Sequence, residues 1–119
     1  MIRIKRLAKS FHYAARGFIK TFHEEQNLKI QSLFGFLALG LAWYCRISRL
    51  EWAILVLTIG LVILMEIANS AMERVTDVLK PRLDSYVKEI KDIMAAAVML
   101  ASIIAVLVGG IIFWPYLFG

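Results

Sequence analysis

The sequence predicts an all-α integral membrane protein, with an N-terminal amphipathic surface helix ahead of three transmembrane helices. Three observations carry that prediction. The 119-residue chain is 61% hydrophobic, with a mean hydropathy of +0.72, well above the range of globular domains. The apolar excess is gathered into three nearly uncharged runs. Basic residues crowd the segment before the first run and the connection between the second and third. The length suits one domain.

Residues 2–23 place Ile4, Leu7, Phe11, Ala14 or Ala15, Phe18 and Phe22 at intervals of three or four, while Lys5, Lys9, Arg16 and Lys20 fall largely on other sides. This is the pattern of a basic amphipathic helix lying along a membrane surface, expected over 1–26. The first apolar run is residues 30–45 (IQSLFGFLALGLAWYC). It reaches spanning length with its flanks, so a span is expected over 28–46; about 20 residues suffice to cross. No small-residue cleavage site follows it, so it reads as a span and not as a removable signal. The second run begins WAILVLTIGLVILM at Trp52 and continues to Met72 with only Glu66 interrupting, giving a span over 51–79. Pro81 then ends the helix, because proline cannot continue the hydrogen-bond ladder. A polar connection is expected over 80–91, and the third run gives a span over 92–117. In that span Ala97, Ala101, Ala105 and Gly109 recur four apart, the spacing that lets helices approach closely in lipid. Cys45 is the sole cysteine, so no intrachain disulfide can form.

Topology follows from charge. Seven basic residues precede the first span (Arg3, Lys5, Arg6, Lys9, Arg16, Lys20, Lys29) and five lie between the second and third (Arg74, Lys80, Arg82, Lys88, Lys91). Only Arg46 and Arg49 occupy the first hairpin. The positive-inside bias places the N-terminus and the 73–92 segment in the cytoplasm, with the C-terminus outside. Trp43, Tyr44, Trp52, Trp114 and Tyr116 then form one outer aromatic belt. The net charge of +5 is explained by orientation and anionic headgroups, and no nucleic-acid binding is read from it.

Residues 66–77 (EIANSAMERVTD) are the anomaly. At about 100° per residue, with Glu66 at zero, Asn69 falls near −60°, Glu73 near −20°, Asp77 near +20° and Ser70 near +40°. All five share one stripe. If Trp52 marks the outer edge, Glu66 lies roughly 21 Å inward in a hydrocarbon core of about 30 Å. An ionised carboxylate there costs on the order of 2.5–3.5 kcal/mol, so an intramembrane acid is expected to carry function. Glu73 and Asp77 sit about two and three turns closer to the cytoplasm. The row therefore descends from water towards lipid.

That descent suits a particular chemistry. Superficial carboxylates can hold a hard cation such as Mg²⁺, which takes oxygen ligands and keeps several waters. A deeper carboxyl can accept a proton from a lipid hydroxyl. Arg6, Arg82 and Lys91 can neutralise phosphate. The reaction read from this set is phosphoryl transfer from a soluble nucleotide to a lipid alcohol. No Walker loop, kinase glycine-rich loop or DFG triplet is present. Three helices are few to enclose a polar site, so an oligomer is expected.

Residues 66–77 resemble the Glu-x-x-Asn-Ser/Thr-Ala-x-Glu-x-x-x-Asp block of the prokaryotic diacylglycerol kinase family, and residues 91–98 (KDIMAAAV) resemble its second block. The likeness extends over nearly the whole chain. It implies a single membrane-embedded lipid kinase domain over 1–119, a homotrimer with composite sites, ATP as donor and a bacterial inner-membrane location. It also implies that Glu66 is the general base and that Glu25 and Glu73 bind the metal. Arg6, Tyr13, Gly17, Glu25, Asn69, Glu73, Asp77, Arg82, Asp84, Lys91 and Asp92 fall to the nucleotide site. Asn27 and Lys29, with Glu66, fall to the lipid substrate.

The family has an undecaprenol branch and a diacylglycerol branch. Residues 25–31 (EQNLKIQ), Arg16-Gly17, Glu51-Trp52 and residues 111–115 (IIFWP) lean to undecaprenol, although Leu28 replaces the usual Phe. Diacylglycerol is the alternative. The rival classes are a small proton-coupled transporter and a non-catalytic accessory protein. A transporter needs its acid near the midplane, reachable from both sides, whereas these acids run to one face only. In an accessory protein an acid row would be gratuitous.

Overall fold

A computed structural model describes residues 3–119; residues 1 and 2, the start of the surface helix expected over 1–26, lie outside the described residues. The described chain is four helices: α1 (Ile4–Glu24), α2 (Gln26–Cys45), α3 (Arg49–Leu79) and α4 (Asp84–Phe118). Helices α2, α3 and α4 are each long and apolar enough to cross a membrane. Consecutive spans run antiparallel, and α3 packs most extensively on α4. Helix α1 touches only α2 and α3 and buries none of its residues.

The break between α1 and α2 is a single extended residue, Glu25, at φ −104° and ψ 113°. Leu28 follows on the first turn of α2 and is 0% exposed, so the span is anchored directly after the break. At the other end of α2 the chain reverses in three residues. Arg46 takes the left-handed conformation at φ 53°, a non-glycine backbone state costing roughly 1–2 kcal/mol. The turn offsets that cost by two means: the Ile47 amide bonds back to Ala42 O at 3.4 Å, and the Ile47 side chain is buried in the main apolar cluster with Ala42, Leu55, Ile112 and Phe113. Ser48 then opens α3 with a full capping box, its hydroxyl accepting from the Glu51 amide at 3.2 Å and its own amide donating to Glu51 Oε1 at 3.0 Å. The Tyr116 hydroxyl donates to the same Glu51 carboxylate, tying the end of α4 to this turn.

The connection expected over 80–91 is shorter in the structure. Helix α4 is already formed at Asp84, leaving residues 80–83 as the turn, where the Arg82 and Leu83 amides bond to Leu79 O at 3.2 and 3.0 Å. The physical reason is that 84–91 is itself a good helix: Asp84 is the acid of its first turn, and Val87 buries against the bundle. Helix α4 has 35 residues, about 52 Å at 1.5 Å per residue, against a core of about 30 Å. Helix α3, with 31 residues, is about 46 Å long by the same rise. Both therefore extend beyond the apolar layer at the end that carries Asp77 and Lys91.

The small-residue stripe of α4 also divides. Ala101 is buried, whereas Ala105 and Gly109 line a cleft of about 380 Å³ between α2, α3 and α4. A Cβ on Gly109 would meet nothing within 4 Å. The tightly packed glycine of the spans is instead Gly35 of α2, whose Cβ would lie 3.0 Å from Ile59 Cγ2.

Candidate functional site

The inward face of α3 consists of Leu55, Thr58, Val62, Glu66, Ser70 and Thr76. Their positions span about 120° of the helix at 100° per residue, one continuous face. Glu66 is 4% exposed and Ser70 3%, so the deepest part of the stripe is packed among the spans. Asn69 and Glu73, on the same face, are half-buried, and Asp77 is exposed. Along the polar row exposure rises from Glu66 through Asn69 and Glu73 to Asp77, while Thr76 beside its outer end is fully buried.

Local bonds order the row. Asn69 Nδ2 donates to Glu73 Oε1 at 3.3 Å, an (i, i+4) pair of the kind that neighbouring helix turns allow. Thr76 is fully buried and its hydroxyl donates to Glu73 O at 3.0 Å, which spares a buried polar group the cost of having no partner. Lys91 Nζ of α4 donates to Asp77 Oδ1 at 3.2 Å. Arg74 Nη1 reaches Ser70 O at 3.4 Å, and its other terminal nitrogen pairs with the Glu24 carboxylate at the end of α1.

Around Glu66 the polar neighbours are Gln31, Glu25 and Glu73. Helix α3 and the α1–α2 break therefore bring three carboxylates into electrostatic range. They do not converge on one point: among the described residues no group of three His, Cys, Asp or Glu side chains is close enough to share an ion. The half-buried Glu25 and Glu73 suit Mg²⁺, which binds through one or two carboxylates and keeps several waters.

Other residues named from sequence are spread over the surface of the single chain. Asn27 and Lys29 are exposed on the first turns of α2, and Arg82, Asp84 and Asp92 are exposed at and after the α3–α4 turn. Arg6, Tyr13 and Gly17 are exposed on α1. There Tyr13 carries the Arg16 guanidinium 5.8 Å from its ring centroid, and Gly17 O accepts from Thr21 Oγ1 at 2.7 Å. A Cβ at Gly17 would meet nothing within 4 Å in this chain.

Gln31, Ser102, Arg74 and Glu24 were not singled out as site residues from sequence. Gln31 Nε2 donates to Ser102 Oγ at 3.3 Å, bridging α2 to α4 at the level of Glu66. Both line the cleft, with Val62 one turn from Glu66. The available signal was a glutamine and a serine inside otherwise apolar runs, where polar side chains seek partners across helices.

The chain is similar over most of its length to proteins of one family. Residues 12–113 match the family described as Prokaryotic diacylglycerol kinase. The chain is 31% identical over 114 residues to the undecaprenol kinase of Bacillus subtilis, covering 96% of this chain and 93% of that protein. It is 35% identical over 110 residues to a diacylglycerol kinase of Synechocystis, covering 92% of this chain and 63% of that longer protein. With the diacylglycerol kinase of Escherichia coli it shares 27% identity over 111 residues, 93% of this chain and 91% of that one.

Proposed function

Because the chain belongs to the prokaryotic diacylglycerol kinase family and is a membrane lipid kinase using ATP, we propose that it phosphorylates undecaprenol at the inner face of a bacterial cytoplasmic membrane. The observation that carries this choice is the end-to-end match to the undecaprenol kinase of Bacillus subtilis, at 93% of that protein's length. Residues 25–31, Arg16-Gly17, Glu51-Trp52 and residues 111–115 lean the same way. Diacylglycerol is the second reading, favoured by the 35% identity to the Synechocystis diacylglycerol kinase.

The proposed mechanism uses the burial gradient of α3. The lipid hydroxyl comes to the Glu66 carboxylate beneath the headgroups, with Asn27 and Lys29 at the headgroup level. Glu66 takes the hydroxyl proton as the oxygen attacks the γ-phosphorus; the bond from that phosphorus to the β–γ bridging oxygen breaks and ADP leaves. Glu25 and Glu73 would hold Mg²⁺, which would supply positive charge to offset that of the nucleotide phosphates. Asn69 steadies Glu73 through the bond it already donates. Arg6, Tyr13, Gly17, Asp77, Arg82, Asp84, Lys91 and Asp92 bind the nucleotide or support its site. Most of the acceleration comes from positioning and fixed charge, as phosphoryl transfer requires.

Helix α1 lies on the inner membrane surface in this reading, supported by its large exposed apolar residues, Ile4, Leu7, Phe11, Phe18 and Ile19. The functional unit is a homotrimer, and neighbouring chains complete each site. That reading is supported by the exposed positions of Gly17, Arg82 and Asp84 in one chain. The N-terminus and the 73–92 segment face the cytoplasm and the C-terminus faces outward, by the distribution of basic residues.

The test is side-by-side turnover of undecaprenol and diacylglycerol by purified protein with Mg·ATP. Undecaprenol is expected to give the higher kcat/KM. A higher value for diacylglycerol reverses the lipid assignment, and no labelled phospholipid from either alcohol removes both.

A further inference from the structure

We propose that the Arg74–Glu24 ion pair is the latch that fixes α1 over the carboxylate row, which makes Arg74 a positioning residue for the phosphoryl-donor site. The inference rests on the reading of Glu25, Glu73 and α1 as parts of that site. It starts from how little else holds α1. None of its residues is buried, and it touches only α2 and α3. Of the side-chain hydrogen bonds and ion pairs among the described residues, Arg74–Glu24 is the only one that joins α1 to a span; the others on α1, from Ser10 to Arg6 O and from Thr21 to Gly17 O, stay within the helix.

The pair also sits where leverage is greatest. Glu24 is the last residue of α1 and Glu25 is the lone extended residue of the break. Leu28, fully buried, pins the beginning of α2. The pivot is thus Glu25 itself, fixed on its α2 side by packing and on its α1 side by Arg74. Arg74 is held in turn by Ser70 O at 3.4 Å, and it adjoins Glu73 in sequence. One guanidinium therefore joins the segment carrying Glu25 to the helix carrying Glu73. Release of the latch lets α1 swing about Glu25, carrying Arg6, Tyr13 and Gly17 with it, while lipid contact still holds the helix at the surface.

Both side chains are about half exposed, 43% for Arg74 and 51% for Glu24, so the latch is weak. Exposed pairs of this kind shift an equilibrium by about fivefold at most. The expected effect of charge reversal is correspondingly a rise of up to about fivefold in KM for Mg·ATP, with little change in KM for the lipid alcohol.

The experiment is a charge exchange: Arg74→Glu, Glu24→Arg and the double variant, each assayed for both KM values. In parallel, spin labels at Ser10→Cys and Val78→Cys, in a Cys45→Ala background diluted with unlabelled protein, report the α1–α3 distance. The expected result is a narrow distance distribution in the parent, broadened in each single variant and restored in the double, with KM for Mg·ATP following the same order. Unchanged distances in Arg74→Glu overturn the latch. A broadened distance with an unmoved KM overturns the positioning role and the place of α1 in the donor site. Kinase turnover that still depends on Glu66 would then show the reaction assignment intact. A normal Glu24→Arg beside a double variant as impaired as Arg74→Glu overturns it too, by making Arg74 a direct nucleotide contact.

Discussion

The two ends of the α3–α4 pair are built on different principles. At the aromatic end, the turn after α2 answers its own polar groups: Ser48 and Glu51 cap each other, Tyr116 bonds Glu51, and Ile47 closes over the apolar cluster. At the polar end, helices extend past the apolar layer and meet through side-chain pairs, Asp77–Lys91 and Glu24–Arg74, that remain substantially exposed. The first end is satisfied internally and fixes the hairpin. The second keeps charge at the surface, where the proposed mechanism places the nucleotide. Between them Glu66 is, among the described residues, the one acid buried among the spans.

That contrast can be broken at each level. The largest effect is expected at the buried acid: Glu66→Gln should lower turnover by about 10²–10⁴-fold while circular dichroism keeps the helical signal. Parent-like turnover would remove Glu66 as the base. Next comes the polar end, where Lys91→Gln should raise KM for Mg·ATP severalfold. Its unfolding midpoint in detergent should scarcely move, because a pair exposed at 40% and 65% contributes under about 1 kcal/mol. The smallest kinetic effect belongs to the aromatic end. Ser48→Ala removes the cap and should cost roughly 1 kcal/mol of stability, seen as a lower unfolding midpoint with both KM values unchanged. A kinetic change there would mean that the two ends are coupled.

Much of this architecture is legible in composition and period. The spans announce themselves by apolar length, and the row of Glu66, Asn69, Glu73 and Asp77 by its 100° spacing. The resemblance of residues 66–77 and 91–98 to one family is matched by the family assignment over residues 12–113. What escaped was of two kinds. Residues 84–91 looked like a connection because their charges masked helical periodicity, with Val87 as the single buried contact. Gln31, Ser102, Arg74 and Glu24 escaped because their partners are 71 and 50 residues away, and no local pattern encodes such pairs.

By itself, then, the sequence determined which segments lie in lipid, which end carries the charge and which helix face bears the acids. Those properties follow from hydrophobicity and the helical repeat, both local. Only the tertiary structure decided that Glu66 turns into the bundle, that the small-residue stripe opens into a cleft beyond Ala101, and that Arg74 reaches α1. Helix rotation and the choice of packing partner are set by contacts between distant segments, where apolar surface alone gives no preference in lipid and a few polar pairs tip the balance.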